Sequence, residues 1–199
     1  MAILADVSAG YGSRIVPRKP EKPVRVPLKP DREAIQAATA EFLERGGRIR
    51  RVNATEILRE LGPFDLDPCA LERRPWATAG RHYTVAEDGL AQDWAGRVWL
   101  NPPYGAKETW VWVERLARHG DGVALIFART ETVGFHRWVW EKATALLFLE
   151  GRLHFCLPDG SRAPANAGGP SVLVAYGDEN ASRLKSCGLK GAFVLLRRF

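Results

Sequence analysis

Apolar and polar positions divide the chain into short alternating elements. From Asp31, a good helix N-cap, Ile35, Ala38, Phe42 and Leu43 keep helical spacing until Gly46-Gly47 ends the run. Residues 48–52 read as a short extended piece. Asn53 caps a second predicted helix, with Ile57, Leu58 and Leu61 on its apolar face and Gly62-Pro63 closing it. The turn between these helices is too long and strand-like for a helix-turn-helix. Strands are predicted at residues 64–66, 98–100, 122–128, 145–149, 152–155 and 171–176. Helices are predicted at 107–118, with Trp112, Val113, Leu116 and Ala117 on one face, and at 132–142, with Phe135, Trp138 and Val139 inward. Strand–helix alternation with apolar strands implies an α/β fold with a mostly parallel sheet, and the closely spaced late strands imply an antiparallel edge.

The first residues break this pattern. Pro17, Pro20, Pro23, Pro27 and Pro30 recur every three or four positions, which forbids a regular helix and favours an extended arm over residues 1–30. A single domain is expected over 31–199. The arm and the start of the domain are also basic: Arg14, Arg18, Lys19, Lys22, Arg25, Lys29 and Arg32 lie in one stretch with only Glu21 and Asp31 against them. The whole chain carries 29 Lys+Arg against 23 Asp+Glu, a formal charge of +6. A balance of that sign, with an isoelectric point near 9.5, points to a polyanionic partner or to a mildly basic surface. With 46% hydrophobic and 26% charged residues the chain is of the globular type, not the disordered one. No apolar run approaches the roughly 20 residues of a membrane span, and no signal core is present, so a membrane and secretion are not expected. Cys69, Cys156 and Cys187 are odd in number and far apart, which disfavours a disulfide framework and a zinc site and fits a reducing cytoplasm.

Two predicted strand ends carry unusual chemistry: Asp65-Leu66-Asp67-Pro68 and Asn101-Pro102-Pro103-Tyr104. In an open α/β sheet, ligands bind beyond the carboxyl ends of the strands. Consecutive prolines remove two amide donors and stiffen the backbone, and the preceding Asn101 is held extended with its carboxamide aimed into the cleft. Tyr104 offers a flat apolar face. Together they form a clamp for a planar group bearing an amino function.

This pattern resembles the Asn/Asp/Ser-Pro-Pro-aromatic motif of S-adenosylmethionine-dependent amino-methyltransferases. The ordered set Phe64–Ala70, Glu87–Leu90, Gln92-Asp93-Trp94, Val98–Gly105, Ala128–Thr132, Phe135-His136, Gly151–Phe155 and Pro170-Ser171 is similar to the phage-type DNA N6-adenine methyltransferase (Dam) family over about residues 53–176. The resemblance implies an abbreviated Rossmann-like, class I methyltransferase fold. It implies an enzyme that transfers methyl from S-adenosyl-L-methionine to the N6 amino group of adenine in DNA, without metal. Asn101, Pro102, Pro103 and Tyr104 would be catalytic: Asn101 and the Pro102 carbonyl accept the two amino hydrogens while Tyr104 stacks on the flipped base. Cofactor contacts are implied from Thr55, Asp65, Asp67, Pro68, Cys69, Asp93, Trp94 and Asn101. The carboxylates Asp65 and Asp67 would suit the sulfonium, Asp93 the cofactor adenine, and the helix N-terminus at Thr55 the methionine carboxylate. Cys69 lacks a partner base and reads as a small buried residue rather than a nucleophile. DNA contacts are assigned to Arg18, Lys19, Lys22, Arg25 and Arg129, and His136 to a buried network. The setting expected is the cytoplasm of a bacterial host, with the gene bacterial or prophage-borne, and a homodimer is left open.

Two alternatives stand beside this reading. The same motif serves methyltransferases of RNA bases and of protein glutamine amides; the basic arm favours nucleic acid over protein, and the choice of duplex DNA rests on the family resemblance. A non-catalytic module that holds DNA or a partner is the other, and the intact Asn101-Pro102-Pro103-Tyr104 argues against it.

Overall fold

A computed structural model describes residues 54–196 apart from 106, 158 and 165, together with helical positions Ala37, Glu41 and Glu44. The chain divides into two compact units, Met1–Arg48 and Ile49–Phe199, and everything below concerns the second. The expected arm over 1–30, its cationic residues Arg18, Lys19, Lys22 and Arg25, and the N-cap Asn53 lie outside the described residues.

Helix α1 (Ala54–Leu61) is held by Ile57 and Leu61, both fully buried. Strand β1 (Leu66–Asp67) follows, then β2 (Arg81–His82), β3 (Val98–Leu100), helix α2 (Glu108–His119) and β4 (Gly122–Phe127). Helix α3 (Val133–Phe135) continues as a π-helical turn, His136–Trp140; its N-cap is Thr132, whose hydroxyl accepts from the Phe135 amide. Strands β5 (Ala145–Leu149) and β6 (Ser171–Tyr176), helix α4 (Asp178–Ser186) and β7 (Gly191–Leu195) complete the unit.

The seven strands form one sheet in the order β2-β1-β3-β4-β6-β5-β7. Pairings among β2, β1, β3 and β4 are parallel, and those of β4–β6, β6–β5 and β5–β7 are antiparallel. The α/β expectation holds, and the antiparallel part is half of the sheet rather than an edge. Helices cover both faces, so the strands are apolar on both sides. On β4, Val123 and Leu125 join Ile57, Leu61 and Leu184 on the face under α1 and α4. Ala124 and Ile126 join Val113, Leu116 and Phe135 under α2 and α3.

Three elements escape a local reading. β2 has only two residues, β7 is half exposed, and α4 buries just Asn180, Ala181 and Leu184. One expected strand, 152–155, does not form. Leu153 is buried and Phe155 half-buried, as a strand would place them, but their backbone joins an irregular hairpin. There Ala167 donates to the Leu153 carbonyl and Ala163 to that of Phe155, and Cys156 bridges to Arg162. Among the described residues no helix is long and apolar enough to cross a membrane.

Candidate active site

β1 and β3 are neighbouring parallel strands, Leu66 registering with Val98, so their carboxyl ends emerge side by side. Asp67 and Cys69 leave one end, and Asn101 to Tyr104 leave the other. The Cys69 thiol donates to the Asn101 carbonyl at 3.2 Å and ties the two ends together. Between them opens a cavity of about 360 Å³ lined by Asp67, Cys69 and the whole Asn101-Pro102-Pro103-Tyr104 run. Its other walls are the loop after β1, through Leu71, Arg74, Trp76 and Thr78, and the irregular hairpin, through Phe155 and Leu157.

Asp67 is buried and fully engaged: Oδ1 accepts from the Cys69 amide at 3.2 Å, and Oδ2 accepts from the Thr78 hydroxyl. Burial pushes its carboxyl above the ordinary aspartate value, although Thr78, the Cys69 amide and the Arg74 charge work in the other direction. Burial, and then the Asp67 charge, push the Cys69 thiol well up, so it remains a protonated donor rather than a nucleophile.

The Tyr104 hydroxyl lies 3.0 Å from Asn101 Oδ1 and 3.3 Å from the Leu125 carbonyl, and donates to the nearer. Its ring packs against Phe127 at 4.4 Å and edge-on against Phe155 at 5.6 Å. Burial raises the hydroxyl's pKa far above the ordinary tyrosine value, so it stays a donor. The ring is therefore less open, and the Asn101 oxygen less free, than the motif by itself suggests. Thr109 fastens the turn, its hydroxyl donating to the Pro103 carbonyl at 2.7 Å with the Gly105 carbonyl 3.0 Å away.

On the far side of Tyr104 lies a second cavity of about 310 Å³, lined by Gly105, Thr109, Trp110, Phe127, Arg129 and Thr132 with Tyr104 as the shared wall. Arg129 is exposed there. His136, expected in a buried network, is exposed.

Five of the residues assigned to the cofactor, Thr55, Asp65, Pro68, Asp93 and Trp94, do not line the first cavity. Thr55 is exposed at the start of α1, which reaches the cavity through Leu58 instead. Asp65 lies at the amino end of β1, where Oδ2 accepts from the Arg97 amide at 2.7 Å. Two residues of strand span about 6–7 Å, enough to place Asp65 and Asp67 at opposite ends. Asp93 is exposed, with its backbone carbonyl accepting from the Tyr83 hydroxyl. Trp94 stacks on Trp112 at 6.3 Å beside α2. Pro68 is buried, its carbonyl packed so closely on Gly89 that a Cβ there would clash with it. Conversely, Arg74, Trp76 and Thr78 line the cavity although no motif in the sequence marks them, and Phe155, which the family resemblance included without a role, lines it too. The one available signal was position, since residues 71–78 directly follow a strand end.

Carboxylate, carboxamide and aromatic ring thus converge beyond the carboxyl ends of parallel strands, the ligand-binding edge of an α/β sheet. The chain belongs to the DNA N-6-adenine-methyltransferase (Dam) family, whose model matches residues 51–185, well over half of its length. The chain has no match among curated proteins or among solved structures. Membership places it among DNA adenine methyltransferases.

Proposed function

We propose that the chain methylates the N6 amino group of adenine in DNA, taking the methyl from S-adenosylmethionine held in the cavity between β1 and β3. The observation that carries this reading is the meeting of Asp67 and Asn101 at one cavity, on adjacent strand ends tied by Cys69. A volume of about 360 Å³, largely apolar walls and one buried carboxylate suit a nucleoside with a positively charged centre. When bound, the cofactor supplies an electrophilic methyl group on sulfur.

The protein's part is orientation and polarisation. The adenine amino nitrogen is a poor nucleophile because its lone pair is delocalised into the ring. Asn101 Oδ1 and the Pro102 carbonyl accept its hydrogens and push the nitrogen toward tetrahedral geometry, which frees the lone pair for attack. To do so, Asn101 Oδ1 exchanges the Tyr104 hydroxyl for the substrate's amino hydrogen. Tyr104 and the second cavity, with Trp110 and Arg129 in its wall, receive the flipped base and the adjoining backbone; flipping costs a few kcal/mol, partly recovered by stacking. Arg129 and the cations at Arg18, Lys19, Lys22 and Arg25 supply phosphate contacts.

The test offers radiolabelled S-adenosylmethionine with duplex DNA, RNA and protein as acceptors, followed by nucleoside analysis. N6-methyladenine in DNA is expected. Label confined to RNA or protein overturns the substrate, and cofactor binding without any transfer overturns the enzymatic reading.

A further inference from the structure

Among the described residues lining the first cavity, only two side chains are charged: Asp67 and Arg74. No ion pair joins them; the ion pairs among the described residues lie elsewhere on the surface. We propose that Arg74 holds the carboxylate of the cofactor's amino-acid moiety, and that this contact makes the cavity selective for an intact aminocarboxylate over compounds that lack the carboxylate. The assignment rests on the proposed cofactor.

Charge and placement both support it. S-adenosylmethionine carries two cationic centres and one anionic one, and a cavity that offered Asp67 alone would leave the carboxylate without a partner. An anion out of water needs a cation or several donors, and a guanidinium meets a carboxylate through paired N–H groups. Thr55, which the family resemblance suggested for this role, does not line the cavity.

Arg74 also stands on a built loop. Its Nη1 donates to the Leu71 carbonyl at 2.9 Å, which holds the guanidinium at the wall, and its remaining N–H groups can serve a second acceptor. The Thr78 hydroxyl donates to Asp67 Oδ2, and the amides of Thr78 and Ala79 both lie 3.3 Å from His82 Nε2. Burial and the Arg74 charge hold His82 below its ordinary pKa, so it stays a neutral acceptor for that loop. In the hairpin, Gly160 adopts φ +84° and packs against the loop, so that a Cβ there would lie 3.0 Å from Pro75. The loop carrying Arg74 is thereby pinned to β1, to β2 and to the hairpin, and its cation is placed before any ligand arrives.

The experiment is calorimetric titration of the full chain and its Arg74→Met and Arg74→Lys variants with S-adenosylmethionine and with decarboxylated S-adenosylmethionine. The second ligand keeps both cationic centres and lacks only the carboxylate. The parent protein is expected to prefer the intact compound, and Arg74→Met to weaken it about ten- to hundredfold, the range for a charged hydrogen-bonded contact. Decarboxylated ligand should bind that variant as well as the parent or better, so the preference collapses. Lysine keeps the charge without the fork and should restore part of the preference. A preference unchanged by Arg74→Met, or an equal loss for both ligands, overturns the assignment alone. A parent chain that binds neither ligand overturns the cofactor reading and this assignment with it.

Discussion

Replacing Tyr104 by Phe and by Ala separates the hydroxyl from the ring. The hydroxyl donates to Asn101 Oδ1 at 3.0 Å, a neutral hydrogen bond at the cavity wall worth about 0.5–1.5 kcal/mol net. Tyr104→Phe should therefore lower the melting temperature by roughly 2–5 °C, given the size of the domain. It leaves the Asn101 oxygen open toward the cavity, so an incoming amino group no longer has to displace an internal donor. The specificity constant should stay within about threefold of the parent's, a change of roughly 0.6 kcal/mol. Tyr104→Ala also removes the ring that packs on Phe127 at 4.4 Å and Phe155 at 5.6 Å, the surface on which the flipped base stacks in the proposed mechanism. A base–aromatic stack is worth about 1–3 kcal/mol, so the specificity constant should fall roughly 5- to 150-fold. Initial rates of labelled methyl transfer to one duplex, with thermal melts of each variant, provide both readouts. If Phe proved as damaging to transfer as Ala, the hydroxyl and not the ring face would be the working part, and the stacking argument would fail.

Asn101→Ala should abolish methyl transfer while cofactor affinity, read by calorimetry, stays within about tenfold, or 1.4 kcal/mol, because the proposed mechanism gives its carboxamide to the target amino group; near-normal turnover would refute that role. Asp67→Asn should raise the cofactor dissociation constant well before it affects DNA affinity. Since burial raises the Asp67 pKa above 3.8, the parent's cofactor affinity should fall as pH drops through that raised value, and the asparagine variant should lose this acid limb. The same shift acts on stability with the opposite sign: the folded chain holds that proton more tightly than the unfolded one, so this contribution is present below 3.8 and lost as pH rises through the raised value, as acid-range melts can show. Deleting residues 1–30 should leave the domain folded and weaken DNA binding, flattening the slope of log affinity against log salt by about 0.9 for each phosphate that the arm no longer neutralises; identical slopes would make the arm a passive tail.

Much of the architecture is written in local pattern. β3, β5 and β6 lie at the predicted residues and β4 ends one residue sooner, because a strand covered on both faces must be a continuous apolar run, and such runs are visible in sequence. Helices α1 and α2 were legible from one-sided apolar spacing, with Gly62-Pro63 as the stop of α1; the left-handed Gly120 that caps α2 is a finding of the structure. The placement of Asn101-Pro102-Pro103-Tyr104 just beyond a strand end was legible too, since the backbone restrictions of proline and its neighbours are local. α4 was not, because its buried side includes the polar Asn180, whose amide donates to Asp121 and to the Tyr176 carbonyl, partners supplied by other elements. Nor was the order of the strands, which made half the sheet antiparallel and set β1 beside β3. That pairing decided which acidic residue meets Asn101. Asp65 and Asp67 are alike in sequence, but one binds the Arg97 amide at the amino end and the other faces the cavity at the carboxyl end. Arg74 and Trp76 belong to a loop without periodicity, and only its attachments to Asp67 and His82 bring them to the cavity. Residue type and spacing act within a few positions along the chain; which carboxylate, cation and ring share a cavity depends on contacts between distant segments, and these exist only once the sheet has closed.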